Sequence, residues 1–259
     1  MDRRSFISKS ALLMAGCFLN IGVFPKAYAF EKLRIEIPSS PLVALIIDDI
    51  GNSLSPVHRF LKLDIPITFS VLPRLRYSYF LAKEIWNDGH EIMLHQPMEP
   101  YNLHLDPGPG ALYVGDEVMT IGRIIEDNVS DVPYAIGVNN HMGSRFTECQ
   151  GEITETLRVI KKKDLFFIDS LTSNHSKAYR TARQLNMTTA RRNIFLDNSH
   201  DETTILLQLH RLMWCARQYG YAIGIGHPYG VTVRAIGNFI RNHSHSDIKF
   251  VHISEILYS

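Results

Sequence analysis

Two adjacent aspartates, Asp48 and Asp49, close an uninterrupted apolar run from Leu42 to Ile47. Such a pair suits metal-assisted hydrolysis, where one group holds a cation and a second takes a proton from its water. A plainer use exists: Asp49 can cap a following helix while Asp48 makes a structural hydrogen bond. Further polar groups stand at the same kind of place. His95 follows Glu91–Leu94, His141 follows Ala135–Val138 after two asparagines, Asp169 follows Leu165–Ile168, and His227 follows Tyr221–Ile225. His95 and Glu99 are four apart, a spacing that puts two ligands on one side of a helical turn, although Pro97 opposes a regular helix. His141 is able to complete a metal set. Asn140, Ser144 and Arg145 are able to bind a substrate carbonyl or an anionic oxygen, with a surface ion pair as the other use of Arg145. His227, between Gly226 and Pro228, suits a general acid that protonates a leaving group. Ligands of this type accept zinc, manganese, iron or cobalt. His58, His104, His175, His200, His210, His243, His245 and His252 lie away from strand ends or among polar neighbours and read as solvated.

The elements that must position these groups alternate. Leu42–Ile47, Pro66–Leu72, Glu91–Leu94, Ala135–Val138, Leu165–Ile168, Met187–Ala190 and Tyr221–Ile225 read as strands. Tyr79–Asp88, Asp116–Ser130, Ile153–Lys163, Ser176–Gln184 and Thr203–Tyr219 read as helices, and a last βα-like unit closes the chain. Strand-then-helix repetition argues for a parallel sheet covered by helices. About seven units predict a closed or nearly closed barrel, with an open doubly wound sheet as the alternative. Active sites in such folds form at the C-terminal strand ends, where the βα loops converge. The polar groups fall at that edge.

Composition is ordinary for a globular protein: 259 residues, 45% hydrophobic and 20% charged. With 27 basic and 26 acidic side chains and a formal charge of +1, no basic stripe supports nucleic-acid binding. Residues 1–29 read as an export signal peptide: Arg3-Arg4-Ser5-Phe6-Ile7, an apolar stretch from Ala11 to Phe24, then Ala27-Tyr28-Ala29. The arginine pair resembles a twin-arginine signal, which implies a periplasmic or envelope location. Met14-Ala15-Gly16-Cys17 offers a competing lipoprotein box, but the apolar run continues past Cys17, so cleavage near Ala29 is expected. The run is shorter than the roughly 20 residues a membrane span needs, so the mature form is expected to have no stable span. Cys149 and Cys215 permit one disulfide, which their spacing does not establish.

The ordered segments Ile46-Ile47-Asp48-Asp49-Ile50-Gly51, Gly89-His90-Glu91-Ile92-Met93-Leu94-His95, Asn139 to Ser144, Asp169-Ser170 and Gly226-His227-Pro228 resemble the divergent polysaccharide deacetylase family. This is a distant branch of the NodB-type carbohydrate deacetylases. The resemblance runs from about Leu42 to the C-terminus and implies one α/β domain over residues 40–259, a NodB-like (β/α)7-type barrel. It implies a metal-dependent carbohydrate deacetylase in which Asp48 is the base, Asp49 and His95 are metal ligands, and His227 is the acid. The superfamily places a second histidine ligand four residues after the first; here Glu99 stands there, and His141 is the expected replacement. Asp169 falls where a supporting acid would orient a catalytic group. The cofactor so implied is a divalent metal, zinc first. The substrate implied is an acetylated carbohydrate of the envelope, against the alternative of a barrel that binds glycan or a protein partner without turnover. Tyr101, Tyr113 and Tyr229 are candidates for stacking on sugars. Without a cation, the close Asp48-Asp49 pair is expected to repel and to raise one carboxyl pKa.

Overall fold

The structure, a computed structural model, describes residues 40–243 and 246–258; the expected export segment with Cys17, and His245, lie outside them. Each of the seven segments read as strands overlaps a parallel strand. In chain order the strands are β1 (Leu42–Ile50), β2 (Thr68–Val71), β3 (Glu91–Met98), β4 (Ala135–Met142), β5 (Phe166–Asp169), β6 (Thr189–Arg191), β7 (Ile194–Phe195), β8 (Tyr221–Gly226) and β9 (Lys249–Val251). The helices are α1 (Leu54–Phe60), α2 (Ser78–Asn87), α3 (Val118–Asp131), α4 (Gln150–Lys162), α5 (Ala178–Gln184), α6 (Glu202–Tyr219), α7 (Gly230–Asn242) and α8 (Ile253–Leu257). Of these, α1 and β7 carried no periodic signal long enough to read from sequence. Among the described residues no helix is long and apolar enough to cross a membrane.

The strands form a curled parallel half-barrel in the order β6-β5-β4-β3-β2-β1-β8-β7, with β9 beside β1. The edge strands β6 and β7 are separated only by Arg192 and Asn193. The first pairs with β5 and the second with β8, so residues 189–195 run as one kinked stave between the two ends of the sheet. The NodB-like α/β architecture is therefore present, and the doubly wound alternative is not.

Strand alternation sorts the side chains into two layers. Val43, Leu45 and Ile47 of β1 face the helices, with Phe69, Leu94, Val138 and Phe167 in the same outer core. Ala44 and Ile46 face inward, with Met93, Ile168, Ile223 and Ile225. Complete burial of each of the larger side chains favours folding by about 1.5–3 kcal/mol, and a one-residue slip would exchange the two differently shaped layers. The inner layer is tight. A Cβ built on Gly137 would lie 2.1 Å from the Phe166 ring, so only glycine lets this ring fill the barrel.

Candidate active site

The inner rows continue upward into polar residues. Asp48 follows Ala44 and Ile46, His95 follows Met93, and His227 follows Ile223 and Ile225. Asn139 pairs in register with His95, and His141 with Pro97 two residues on. Asp49 should face the helices by alternation. It does not, because β1 shifts register between Ile47 and Ile50 and Asp49 takes a left-handed φ of 59°. Bulges re-aim side chains next to active sites in this way. The irregularity turns two adjacent carboxylates onto one rim.

Three donor atoms converge there. Asp49 Oδ1 lies 3.0 Å from His141 Nδ1 and 3.2 Å from His95 Nε2, and the two ring nitrogens are 3.2 Å apart. Ligands at tetrahedral angles about 2.0–2.1 Å from a zinc-sized cation would be separated by about 3.3 Å. The triangle thus matches a metal's ligand face to within a few tenths of an ångström. Two further observations fit a cation. Among the described residues no hydrogen bond of ordinary angle reaches the buried Asp49 Oδ1, although the two imidazole nitrogens stand beside it. His95 Nδ1 donates to Asn139 Oδ1 at 2.7 Å, which leaves the Nε2 lone pair directed at the triangle.

Asn139 also donates through Nδ2 to Asp48 Oδ1 at 2.9 Å and to Ser170 Oγ, so one amide orders both a prospective ligand and the buried carboxylate beside it. Asp48 Oδ2 stands 3.6 Å from His95 Nε2. On the other side, His227 Nε2 is 4.0 Å from Asp49 Oδ2. His227 Nδ1 donates to Asp197 Oδ1 at 2.8 Å, while Asp197 Oδ2 accepts from the His227 backbone N–H and from Thr232 Oγ1, both at 2.7 Å. A Cβ on Gly226 would come within 3.2 Å of the methyl of Thr232, the residue whose hydroxyl bonds Asp197.

The electrostatics follow. Burial disfavours the charged form of Asp49, but the close His141 and His95 imidazoles outweigh it and hold the carboxyl far below the usual range. The expected repulsion between the two aspartates is therefore not what sets Asp49, because imidazoles stand closer to it. Burial also opposes protonation of His95, yet Asp48 and Asp49 raise its pKa. A cation at the triangle competes with protons for the His95 Nε2 lone pair. His227 is pushed up to about 9: burial pulls down, and Asp197, Asp48 and Asp49 overcome it.

Other sequence candidates have different surroundings. Glu99 stands beyond β3, an extended strand in which four residues span about 13 Å, so it cannot share a cation with His95 as a helical turn would allow. Its Oε1 pairs with Arg145 at 2.5 Å and its Oε2 accepts the Val114 N–H, which ties down the segment after β3. Arg145 thus serves a buried carboxylate. Asp169 shares the outer row with Phe167, the wrong parity to orient His227. Its carboxylate accepts from Leu171 N, Ser176 Oγ and Tyr179 N at the start of α5. Asn140, also of outer parity, accepts from Ser170 N and donates to Met142 O and Thr172 Oγ1. Ser144 Oγ accepts the Tyr101 N–H. Tyr101 bonds Glu148, and the half-exposed Tyr229 packs near His200 and His227. Cys149 and Cys215 are free thiols. The residues missed from sequence are Asn139 and Asp197. The short run Ile194-Phe195-Leu196 ending at Asp197 carried the same strand-end signature, obscured by Arg191-Arg192-Asn193 before it.

A cleft of about 220 Å³ adjoins Asp49 and His141, walled by Leu72, Pro97 and the 106–109 turn. It leaves room for a substrate against the triangle.

Comparison with known proteins gives the family and the fold. Residues 45–257 match the family model described as divergent polysaccharide deacetylase. YibQ of Escherichia coli (strain K12) is 34% identical over 229 residues, 85% of this chain and 69% of that protein. The crystal structure of ATU2773 from Agrobacterium tumefaciens C58 superposes with a TM-score of 0.80 at 25% identity, over 84% of this chain and 89% of that one. The catalytic domain of the peptidoglycan N-acetylglucosamine deacetylase from Eubacterium rectale ATCC 33656 shares the fold, with a TM-score of 0.55 at 13% identity over 83% and 90% of the two chains.

Proposed function

The chain belongs to the divergent polysaccharide deacetylase family, and from that membership we propose that it is a metal-dependent hydrolase releasing acetyl groups from an acetylated carbohydrate of the cell envelope. The observation that carries this reading is the donor triangle of Asp49, His95 and His141, with Asp48 and His227 at 3.6 and 4.0 Å from its members. Those three residues would hold the cation, zinc being the first expectation for two imidazoles and a carboxylate. When bound, the ion supplies Lewis acidity toward an acyl oxygen and makes a water nucleophilic near neutral pH. Asp48 takes the proton of the attacking water; its place is set by Asn139. His227 carries a proton at neutral pH and gives it from Nε2 to the leaving amine or alcohol as the acyl bond breaks. Asp197 keeps the Nδ1 proton in place, so Nε2 is the end that donates. The cleft beside Asp49 and His141 takes the sugar. The twin-arginine-like start of the chain supports export to the periplasm or envelope.

Metal analysis combined with acetate release from acetylated chito-oligosaccharides tests the proposal. We expect one equivalent of divalent metal and measurable acetate, both lost in Asp49→Ala. A protein that binds no divalent metal, and whose Asp49→Ala variant keeps full function in cells, would have to be a binding module instead.

A further inference from the structure

Arg192 fills the break between β6 and β7, two residues beyond the inward-facing Ala190. It is half-buried, and among the described residues no carboxylate comes within ion-pair distance of it. Instead its Nε donates to Ser170 O at 2.7 Å and its Nη2 to Leu171 O at 2.9 Å, with the guanidinium 3.7 Å from the centre of the Phe195 ring. Burial lowers its pKa to about 10, so it stays cationic at neutral pH.

The turn that offers those carbonyls is held from several sides. Asp169 Oδ1 accepts the Leu171 N–H, Asn140 Oδ1 accepts the Ser170 N–H, and Asn139 reaches Ser170 Oγ. Leu171 sits at φ 50°, a conformation leucine adopts only where its surroundings impose it. Asn140 and Asp169 thus build the cradle of a fixed guanidinium. A cation drawn partly out of water with no carboxylate directly paired to it is costly, and a neutral donor would staple the two carbonyls at lower cost. Nη1 has no hydrogen-bond partner among the described residues. Phe195 also stacks with His227, ring centres 6.1 Å apart, so the guanidinium stands one aromatic ring from the proposed acid.

We propose that Arg192 is an anion subsite of the same active site, taking through Nη1 the carboxylate of an acetylated sugar, so that the preferred substrate carries an acidic group near the acetyl. This rests on the deacetylase reading. One free Nη and the nearby charges of Asp48 and Asp169 fit a monoanionic carboxylate and disfavour a dianionic phosphate.

Calorimetry on the metal-loaded protein tests it with two probes. One is the peptidoglycan disaccharide of N-acetylglucosamine and N-acetylmuramic acid; the other is the same disaccharide with its carboxyl reduced to an alcohol. The wild type is expected to bind the acid form about tenfold or more tightly. Arg192→Gln should lose that preference and bind the reduced form within about twofold of wild type. Failure to bind the acid form, equal affinity of the wild type for both forms, or a preference that survives Arg192→Gln overturns the subsite. The first two readouts need no variant, so a misfolded substitution does not blunt them. Acetate release is measured separately: a carboxylate preference without any turnover would refute the deacetylase reading and leave the subsite standing.

Discussion

Replacing Asp197 with asparagine should uncouple His227 from its proton. In the wild type the imidazole is raised from 6.5 to about 9, although burial acts against the charged form. That gap corresponds to roughly 3 kcal/mol in favour of the protonated ring. Among the described residues Asp197 supplies the only hydrogen bond behind it, at 2.8 Å, together with one of three nearby negative charges. Asparagine keeps the shape and removes the charge, leaving burial opposed only by Asp48 and Asp49. The His227 pKa should then fall at least about one unit, a tenfold change in the protonation equilibrium. Imidazole NMR titration of the chelated protein measures this directly, and the alkaline limb of the kcat/KM profile should move down by a similar amount. Stability reports the same linkage. Because the folded pKa lies above the unfolded one, the wild type holds this contribution fully below pH 6.5 and loses it as pH rises through about 9. Denaturant melts across that window should therefore slope less in the variant. A His227 that still titrates near 9 in Asp197→Asn would show that Asp48 and Asp49 alone retain the proton, and would refute the dyad.

Other substitutions separate the remaining roles. Asn139→Ala removes the acceptor that orients His95 and the donor on Asp48; chelator competition should show metal affinity about 10–100-fold weaker. Glu99→Ala strands Arg145 and the Val114 N–H, which should cost about 1–3 kcal/mol in a denaturant melt while metal affinity stays unchanged; loss of metal would return Glu99 to the ligand set. Gly137→Ala forces a methyl onto the Phe166 ring and should destabilise by about 1–3 kcal/mol; an unchanged midpoint would mean the inner core is looser than its contacts imply.

Much of this was legible because the relevant signals are local. A run such as Leu42–Ile47, short and apolar at every position, reads as a strand buried on both faces, and the polar residue that ends it marks the rim. Asp48, His95 and His227 were readable on that ground. What misled was treating every strand-end polar residue alike. Asp169 and Asn140 end strands as clearly as His95 does, but they fall on the outer parity and hold turns. Asn139 stands one residue from the candidate Asn140, and the pleat alone exchanges their roles. Glu99 looked like a ligand under helical spacing, and an extended strand carries it away from His95.

The sequence by itself determined the alternation of strands and helices, the parallel sheet, the edge on which chemistry gathers and the family to which the chain belongs. These depend on apolar periodicity and on ordered short segments. Only the tertiary structure decided which polar groups meet. The register of β3 against β4 sets Asn139 beside His95, and the bulge in β1 turns Asp49 inward beside Asp48. The pairing of β7 with β8 brings Asp197 under His227 across 30 residues. Register and backbone irregularity arise from packing between distant segments, and no local run of residues encodes them.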